Sequence, residues 1–248
     1  MKAPRLGYGV DGGPISAPGP PIVLERLQPV AVTIVNDLTH ATSVHWHGIE
    51  LDSYYDGVPH FGGDSRARTP FISPGGSFVA QFSPPRAGTF AYHTHFNDYV
   101  QLSTGLYGAL IVLDKGQVFD ATVDHAFVVS RDGPNDEKDP VLLNGVVESA
   151  LTWRAGVSHR VRIIGMMPSV LGRVRLMRNG QPVHWHAIAK DGADLPEQTP
   201  EDRVADFMLS PGETFDFTLV PEPGEMRLEV QLDNKVMQRA FVRVTVKQ

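Results

Sequence analysis

The sequence has no cysteine, and this absence removes two options at the outset. No disulfide bond can form, and no metal site can use a thiolate ligand. The absence says little about the compartment, because a cysteine-free chain tolerates both reducing and oxidising surroundings.

A long apolar run and an excess of positive charge are also missing. No apolar stretch approaches about 18 residues, so we expect no membrane span. The formal net charge of −6 argues against nucleic acid or an anionic membrane as a partner. Residues 1–4 begin no apolar segment, so we expect any export signal to have been removed or to lie elsewhere.

Turn-forming residues, in contrast, are abundant. The 248 residues include 24 glycines and 20 prolines, which favours an all-β design with many turns. β-Branched and alternating runs predict strands at 29–36, 43–47, 77–82, 89–95 and 106–113. A long polar loop is predicted over residues 52–69, a short helix between 96 and 104, and an extended arm before residue 20.

Histidines recur at positions i and i+2 in three places, where composition alone predicts fewer than one. The pairs are His45 with His47, His93 with His95, and His184 with His186. Residues i and i+2 of a strand point to the same face, so two neighbouring strands can gather four imidazoles on one surface. Because neutral imidazole ligates copper, zinc, nickel and iron, the first two pairs predict a metal site.

Each histidine taken alone has a simpler interpretation. A histidine on a strand is more often a core or surface residue whose ring nitrogen is satisfied by a backbone carbonyl. The metal hypothesis rests on the recurrence of the pairs near residues 45 and 93, because four ligand-capable groups at strand spacing rarely recur without a metal.

The second half of the chain repeats the first from about residue 124. Residues 210–221 align with residues 73–84, and the motif at 184–186 aligns with the motif at 45–47. The repeat predicts two β-sandwich domains, at 20–116 and 117–248, after an arm at 1–19. Continued further, the alignment places Glu229 and Gln231 opposite His93 and His95. We therefore expect one four-histidine surface only, and we interpret His184 and His186 as packing or interdomain residues.

Three segments resemble the multicopper oxidase family, laccase-like members in particular: His-Trp-His-Gly at 45–48, residues 85–95, and residues 105–112. The second half, through residues 160–164, 189–192 and 211–216, resembles the non-catalytic cupredoxin domain that follows in three-domain members. The resemblance covers nearly the whole chain. It implies an all-β fold of two tandem cupredoxin-like Greek-key β-sandwich domains and a periplasmic or extracellular location.

In that family a trinuclear copper cluster lies between two cupredoxin domains. The resemblance implies that His45 ligates the type 2 copper and that His47, His93 and His95 ligate the type 3 pair. Asp56 matches the family's acid that orients copper-bound water and relays protons. Asp-Gly is also a common turn pair, so a purely structural role for Asp56 stays open.

The sequence departs from the family in lacking the His-Cys-His segment, whose cysteine ligates the type 1 copper. No type 1 copper is therefore expected, and four of the family's eight cluster ligands are missing. The resemblance implies a Cys-containing cupredoxin domain or subunit as partner and dioxygen as oxidant. A homo-oligomer would supply no cysteine, so we expect the chain alone to be inactive, or nearly so, as an oxidase of phenols or metal ions.

Three functions stay open at this point. The chain is a component of a multicopper oxidase that supplies half of the copper site, a copper-binding or copper-carrying protein without oxidase turnover, or a structural member that uses its domains for protein contacts. A zinc hydrolase is disfavoured, because four histidines without a carboxylate placed as general base make a poor hydrolytic site, Asp56 being the candidate base.

Overall fold

The computed structural model describes residues 5–135, 138–196, 202–232 and 237–248. The described residues form one short helix, α1 (Asp98–Thr104), and two β-sandwiches in tandem, as predicted. The first sandwich is built from β1 (Gly19–Glu25), β2 (Val30–Val35), β3 (His45–His47), β4 (Ser77–Phe82), β5 (Gly88–His93) and β6 (Tyr107–Leu113). The second is built from β7 (Asp124–Arg131), β8 (Val141–Leu143), β9 (Glu148–Arg154), β10 (His159–Gly165), β11 (Gly172–Arg178), β12 (Gln181–Pro182), β13 (His184–Lys190), β14 (Ala193–Asp194), β15 (Arg203–Val204), β16 (Asp206–Leu209), β17 (Thr214–Leu219), β18 (Gly224–Leu232) and β19 (Arg239–Lys247).

The first sandwich packs a sheet ordered β1-β6-β5-β3 on a pair formed by β2 and β4. Every residue of β5 and β6 is buried, because the two faces of these strands belong to different cores. Phe90 packs with Trp46 inside the first sandwich. Its neighbour Ala91 packs with Ile164 of the second sandwich. A strand covered on both faces requires the uninterrupted apolar sequence that β6 shows.

The second sandwich has one sheet ordered β14-β13-β17-β10-β7-β8 and another ordered β12-β11-β18-β19-β9, with β15 and β16 paired to β13 and β11. Its core contains Trp153, Trp185 and Phe217. The rings of Trp185 and Phe217 stack with centroids 3.9 Å apart. The larger core of this half explains why its strands hold together without a disulfide.

A buried ionic network joins the two sandwiches. Asp216 accepts hydrogen bonds from Thr89 of the first sandwich at 2.8 Å, from Arg162 at 3.3 Å and from Arg160. Arg162 also donates to the Thr89 hydroxyl at 2.7 Å and makes two 2.6 Å bonds to Asp124. Arg162 and Asp216 are each 1% exposed. Buried charges persist only when they are paired. The charged members pair within the second sandwich, and the Thr89 hydroxyl links them to the first.

Most elements predicted for the first half are present. The five predicted strands correspond to β2 to β6, the predicted helix is α1, and residues 52–69 contain no strand. The described part of the arm folds back on itself through a bridge between Tyr8 and Ser16, and Tyr8 packs on Tyr92 with ring centroids 5.1 Å apart. Residues 1–4 of the arm lie outside the described residues.

One part of the predicted repeat is wrong. β10 and β17 pair as β2 and β4 do, so the alignment of residues 210–221 with 73–84 matches the topology. The two His-Trp-His motifs are not equivalent, however, because β3 pairs with β5 whereas β13 pairs with β17. In the second sandwich, the pair that corresponds to β3 and β5 is β11 and β18. In this pair Arg175 of β11 lies opposite Glu229 of β18.

Among the described residues, no helix has the length and apolar character needed to cross a membrane.

Candidate metal centre

The antiparallel pair of β3 and β5 gathers histidines on one face of its sheet. His45 lies opposite His93, and His47 lies opposite Ala91. One ring nitrogen from each of His45, His47 and His93 lies within 4.8 Å of the others. His95 follows the end of β5, and its ring centroid is 5.5 Å from that of His45. The structure therefore brings the four predicted histidines together, on the face where Ala91 meets the second sandwich.

The loop after β3 orients His45. Its Nδ1 donates a hydrogen bond to the backbone carbonyl of Asp56 at 2.8 Å and lies 3.3 Å from the Asp56 carboxylate. The loop can approach this closely because Gly57 has φ +78° and no side chain, where a Cβ would overlap the Val44 carbonyl. Since Nδ1 carries the proton, the lone pair of Nε2 is free to bind a metal.

His93 is oriented by its own backbone. Its Nδ1 donates to the carbonyl of Thr94 at 2.6 Å, which again leaves the lone pair on Nε2. On His95 the Nδ1 atom lies 3.4 Å from the Asp98 carboxylate, and its backbone N–H donates to the Ser43 hydroxyl at 3.1 Å. The Asp98 carboxylate thus lies beside Nδ1 of His95, as the Asp56 carboxylate lies beside Nδ1 of His45.

Buried polar side chains from α1 hold the second histidine pair in place. Gln101 Oε1 accepts hydrogen bonds from the hydroxyls of Thr94 at 2.8 Å and Thr42 at 2.9 Å. Its Nε2 donates to the Ala41 carbonyl at 2.7 Å. Thr94 lies between His93 and His95 and points to the opposite face, so fixing its hydroxyl fixes the backbone that carries both imidazoles.

His47 differs from the other three in the ring nitrogen that it turns toward the site. Its Nδ1 lies 3.2 Å from Nε2 of His93. Both nitrogens face the cluster, and two lone pairs at this distance repel unless a proton or a metal ion lies between them. The nitrogens that a metal could bind are therefore Nδ1 of His47 and Nε2 of His45 and His93, with the ring of His95 beside them.

The electrostatics of the site keep two of the imidazoles neutral. Burial and the neighbouring His45 lower the pKa of His93 to about 3, and the same two causes lower the pKa of His47. Burial also lowers the pKa of His45, but its hydrogen bonds to Asp56 and the charges of Asp56 and Asp98 outweigh this and raise it. Burial raises the pKa of Asp98, with His95 and His45 opposing the shift.

These features fit a copper ion. Neutral imidazole nitrogens are the donors that copper prefers among uncharged ligands, and each needs its other nitrogen oriented by an oxygen acceptor. His45 and His93 have such acceptors in the carbonyls of Asp56 and Thr94, and His95 has one in the carboxylate of Asp98.

The third motif does not join this site. His184 and His186 line a separate groove of the second sandwich with Arg178, Ser158 and Glu222. Within the described residues, the group of ligand atoms close enough to hold a metal includes neither of them.

Sequence reasoning missed two side chains that shape the site. Asp98 could have been found from its position three residues after His95, at the start of the predicted helix. Gln101 gave no such signal, because a buried glutamine within a short helix has no characteristic spacing.

The fold and the four-histidine face define a class of protein: tandem β-sandwiches with a cluster of imidazoles suited to copper. Solved structures agree in fold. The chain is similar to a blue copper oxidase from Nitrosomonas europaea, with a TM-score of 0.75 at 22% identity over 99% of this chain and 84% of that one. It is similar to McoA multicopper oxidase from Aquifex aeolicus, with a TM-score of 0.78 at 20% identity over 98% of this chain and 57% of that one. The sandwiches are therefore cupredoxin-like.

Sequence comparisons identify the family that the chain resembles. A family model described as multicopper oxidase matches residues 9–117. Laccase-1 of Botryotinia fuckeliana is 30% identical over 171 residues, covering 59% of this chain and 29% of that protein. Copper resistance protein A of Pseudomonas syringae pv. tomato is 37% identical over 142 residues, covering 56% and 21%. The predicted resemblance is confirmed: the chain is similar to laccase-like multicopper oxidases, although its own sequence has no cysteine.

The matched segments span less than a third of these curated relatives. The similarity to this family favours copper as the metal, in agreement with the imidazoles gathered at His45, His47, His93 and His95.

Proposed function

We propose that this chain supplies the four-histidine half of an oxygen-reducing trinuclear copper site, which a Cys-containing cupredoxin domain or subunit completes to form a laccase-like oxidase. The observation that carries the proposal is the convergence of four imidazoles on one face: ligand nitrogens of His45, His47 and His93 lie within 4.8 Å of one another, and the ring centroid of His95 is 5.5 Å from that of His45.

In this proposal His45 holds the type 2 copper, and His47, His93 and His95 hold the type 3 pair. Bound there, copper would supply the binding and reduction of dioxygen, with phenols or metal ions as electron donors. The chain's own residues direct each imidazole. The carboxylates of Asp56 and Asp98 lie beside His45 and His95, where they can hold or deliver protons.

The surface next to the site supports a partner. The side chain of His95 is 41% exposed, so the site is open on its side. Beyond it, the ring of Phe96 packs on Phe71 with centroids 6.0 Å apart. Tyr99, four residues after His95, is 50% exposed. Phe61 is 83% exposed and follows His60, whose ring packs on Phe71 with centroids 5.7 Å apart. Exposed aromatic residues beside polar groups are typical of protein interfaces.

The division of the chain into domains is part of the same proposal. We assign an arm at 1–19, the copper-binding domain at 20–116 and a second, non-catalytic domain at 117–248. We also propose a periplasmic or extracellular location, from the family alone.

The absence of cysteine favours a second candidate, a copper-binding or carrier protein. Without a thiolate there is no type 1 copper to accept electrons from a donor. The same four imidazoles would then bind copper without oxidase turnover.

The first test is copper retained per chain after loading with Cu(II) and exhaustive dialysis. The proteins compared are the parent, the His45→Ala/His95→Ala double variant and the His184→Ala/His186→Ala double variant. The third protein is a matched control, because it removes the same residue types at the same kind of motif outside the site. We expect copper in the parent and the control and its loss from the first variant. Equal retention in all three would overturn both candidates.

The second test separates the candidates. A Cys-containing cupredoxin domain is added to the copper-loaded protein, and oxidation of a phenol is followed together with consumption of dioxygen. Activity that requires both proteins supports the oxidase component. Copper binding without activity in the mixture supports the carrier.

A further inference from the structure

The second sandwich contacts the metal centre directly, at the turn formed by residues 210–213. Gly212 of this turn lies against the ring of His47. A methyl group built on Gly212 would be 2.8 Å from both Nε2 and Cε1 of His47, closer than carbon and nitrogen atoms pack. The contact is therefore on the edge of the imidazole that faces away from His93, whose Nε2 is 3.2 Å from His47 Nδ1.

This geometry divides the two nitrogens of His47 between two tasks. Nδ1 faces the other histidines, so it is the atom that can bind a metal. A neutral imidazole that binds through Nδ1 carries its proton on Nε2. That N–H points into the space beside the 210–213 turn.

The space is a cavity of about 210 Å³ between the sandwiches. It is lined by His47, Gly48, Thr89 and Phe90 from the first sandwich and by Asp191 and residues 211–214 from the second. The Asp191 carboxylate on its wall accepts hydrogen bonds from the Thr214 N–H and from Lys190, each at 3.0 Å. The cavity is large enough for water molecules that can bridge Nε2–H to the carboxylate or to backbone carbonyls.

The turn is held rigidly from both of its ends. The Gly212 N–H donates to the Gly165 carbonyl at 2.7 Å, and the Gly165 N–H donates to the Glu213 carbonyl at 2.9 Å. The Glu213 carboxylate accepts from the Ser210 N–H at 2.8 Å and from Lys190 at 3.0 Å. Next to it, the Thr214 hydroxyl donates to the Thr89 carbonyl of the first sandwich at 2.9 Å.

We propose that the 210–213 turn of the second sandwich positions His47 for metal binding through Nδ1, by packing Gly212 against the Nε2 edge of its ring. The second sandwich, which carries none of the four histidines, is then part of the metal centre. Gly212 is the positioning residue. The inference rests on the proposed function for the identity of the metal, and on the interdomain geometry for the role of the turn.

The test is the substitution Gly212→Ala, and the first half of the chain offers a matched control. Gly75 occupies the same place in a Ser-Pro-Gly turn, at residues 73–75. Its φ is +71°, compared with +79° for Gly212, so alanine meets a similar backbone penalty at both positions. Nothing lies within 4 Å of a Cβ at Gly75. The two variants therefore differ in the contact with His47.

Two measurements are made on the parent, Gly75→Ala and Gly212→Ala, each after circular dichroism has shown that the variant is folded. The first is the Cu(II) affinity by competition with a chelator. We expect Gly75→Ala to match the parent and Gly212→Ala to bind at least tenfold more weakly. The second is the tautomer of His47 in the metal-free proteins, from long-range ¹H–¹⁵N correlation spectra. We expect the Nε2–H form in the parent and in Gly75→Ala, and a changed or mixed tautomer in Gly212→Ala.

The two readouts separate this inference from the proposed function. If the parent retains no copper, the proposed function fails, while the tautomer still decides whether the turn positions His47. His47 resonances in Gly212→Ala that match those of Gly75→Ala would overturn the positioning role, as would equal copper affinities in a parent that binds.

Discussion

At the scale of single residues, the metal centre depends on which atom of each neighbour makes the contact. Asp56 shows this most clearly. The sequence points to its carboxylate, but the shorter contact to His45 is made by its backbone carbonyl, at 2.8 Å against 3.3 Å. The carbonyl orients the ring, and the carboxylate stays available for the proton role proposed above. The turn interpretation and the functional interpretation of Asp56 are therefore compatible.

We expect Asp56→Asn to keep copper bound, with an affinity lower by about tenfold or less, because the carbonyl contact survives the substitution. Gly57→Ala should weaken binding more, since a Cβ at this position forces the loop and its carbonyl away from His45. Competition titration with Cu(II) checks both. Complete loss of copper in Asp56→Asn would mean that the carboxylate is the essential contact.

A second residue-scale prediction concerns His125, far from the metal centre. Its Nε2 donates to Nδ1 of His159 at 2.9 Å, and Nε2 of His159 donates to the Arg154 carbonyl at 2.9 Å. Burial and the neighbouring His159 lower the pKa of His125 to about 4. The unfolded chain, with an ordinary histidine pKa near 6.5, takes up this proton first. The free energy of unfolding that the neutral His125 contributes is therefore lost as the pH falls from about 6.5 to about 4.

We expect the free energy of unfolding of the parent to fall over this window by on the order of 1 kcal/mol more than that of His125→Phe, after allowance for solvent screening. Phenylalanine can keep the stacking on Trp153, where the centroids are 4.8 Å apart. Urea titrations at a series of pH values provide the comparison. Parallel curves for the two proteins would contradict the prediction.

At the scale of elements, a short helix supports the second histidine pair from behind. α1 is only seven residues long, and its Gln101 is buried among hydroxyl groups. The helix therefore supports the histidine strand through Gln101, and it also contributes Leu102 to the apolar cluster between the sandwiches. The predicted repeat failed at this scale as well, because identical His-Trp-His sequences occupy strands with different partners.

We expect Gln101→Leu to lower the free energy of unfolding by about 2 kcal/mol, because it leaves the hydroxyls of Thr42 and Thr94 and the Ala41 carbonyl buried without their partner. Copper affinity should fall together with stability. Gln81→Leu is the control, since Gln81 is exposed and its substitution should change stability by about 0.5 kcal/mol or less. Equal effects in urea titration would show that the hydrogen bonds of Gln101 contribute little.

At the scale of the whole molecule, the two sandwiches act as one unit. The Arg162–Asp216 network and the apolar cluster around Ala91 and Ile164 join them beside the histidine face. Separating them would remove the hydrogen bonds that join the Arg162 guanidinium and the Asp216 carboxylate to Thr89 of the first sandwich. Docking of the sandwiches and the geometry of the metal centre are therefore linked.

We expect Asp216→Asn to destabilise the protein by about 3 kcal/mol, because it removes one of the buried charges that compensate Arg160 and Arg162. Asp206→Asn is the matched control. Asp206 also accepts two bonds from an arginine, Arg173, at 2.7 and 2.6 Å, but on an exposed surface. We expect less than about 1 kcal/mol there. Thermal unfolding and copper affinity are measured for both variants. A loss of stability in Asp216→Asn without a loss of copper affinity would show that docking and metal binding are not linked.

The sequence by itself determined the local features: the strands of the first half, the short helix and the shared face of each histidine pair. These follow from alternation, turn residues and the period of a strand, which depend only on near neighbours. The tertiary structure decided which nitrogen of each imidazole faces the metal, that α1 braces Thr94, and that Gly212 of the second sandwich lies against His47. It also separated two identical His-Trp-His motifs, because strand partners are chosen by the packing of whole sheets rather than by the three residues of the motif.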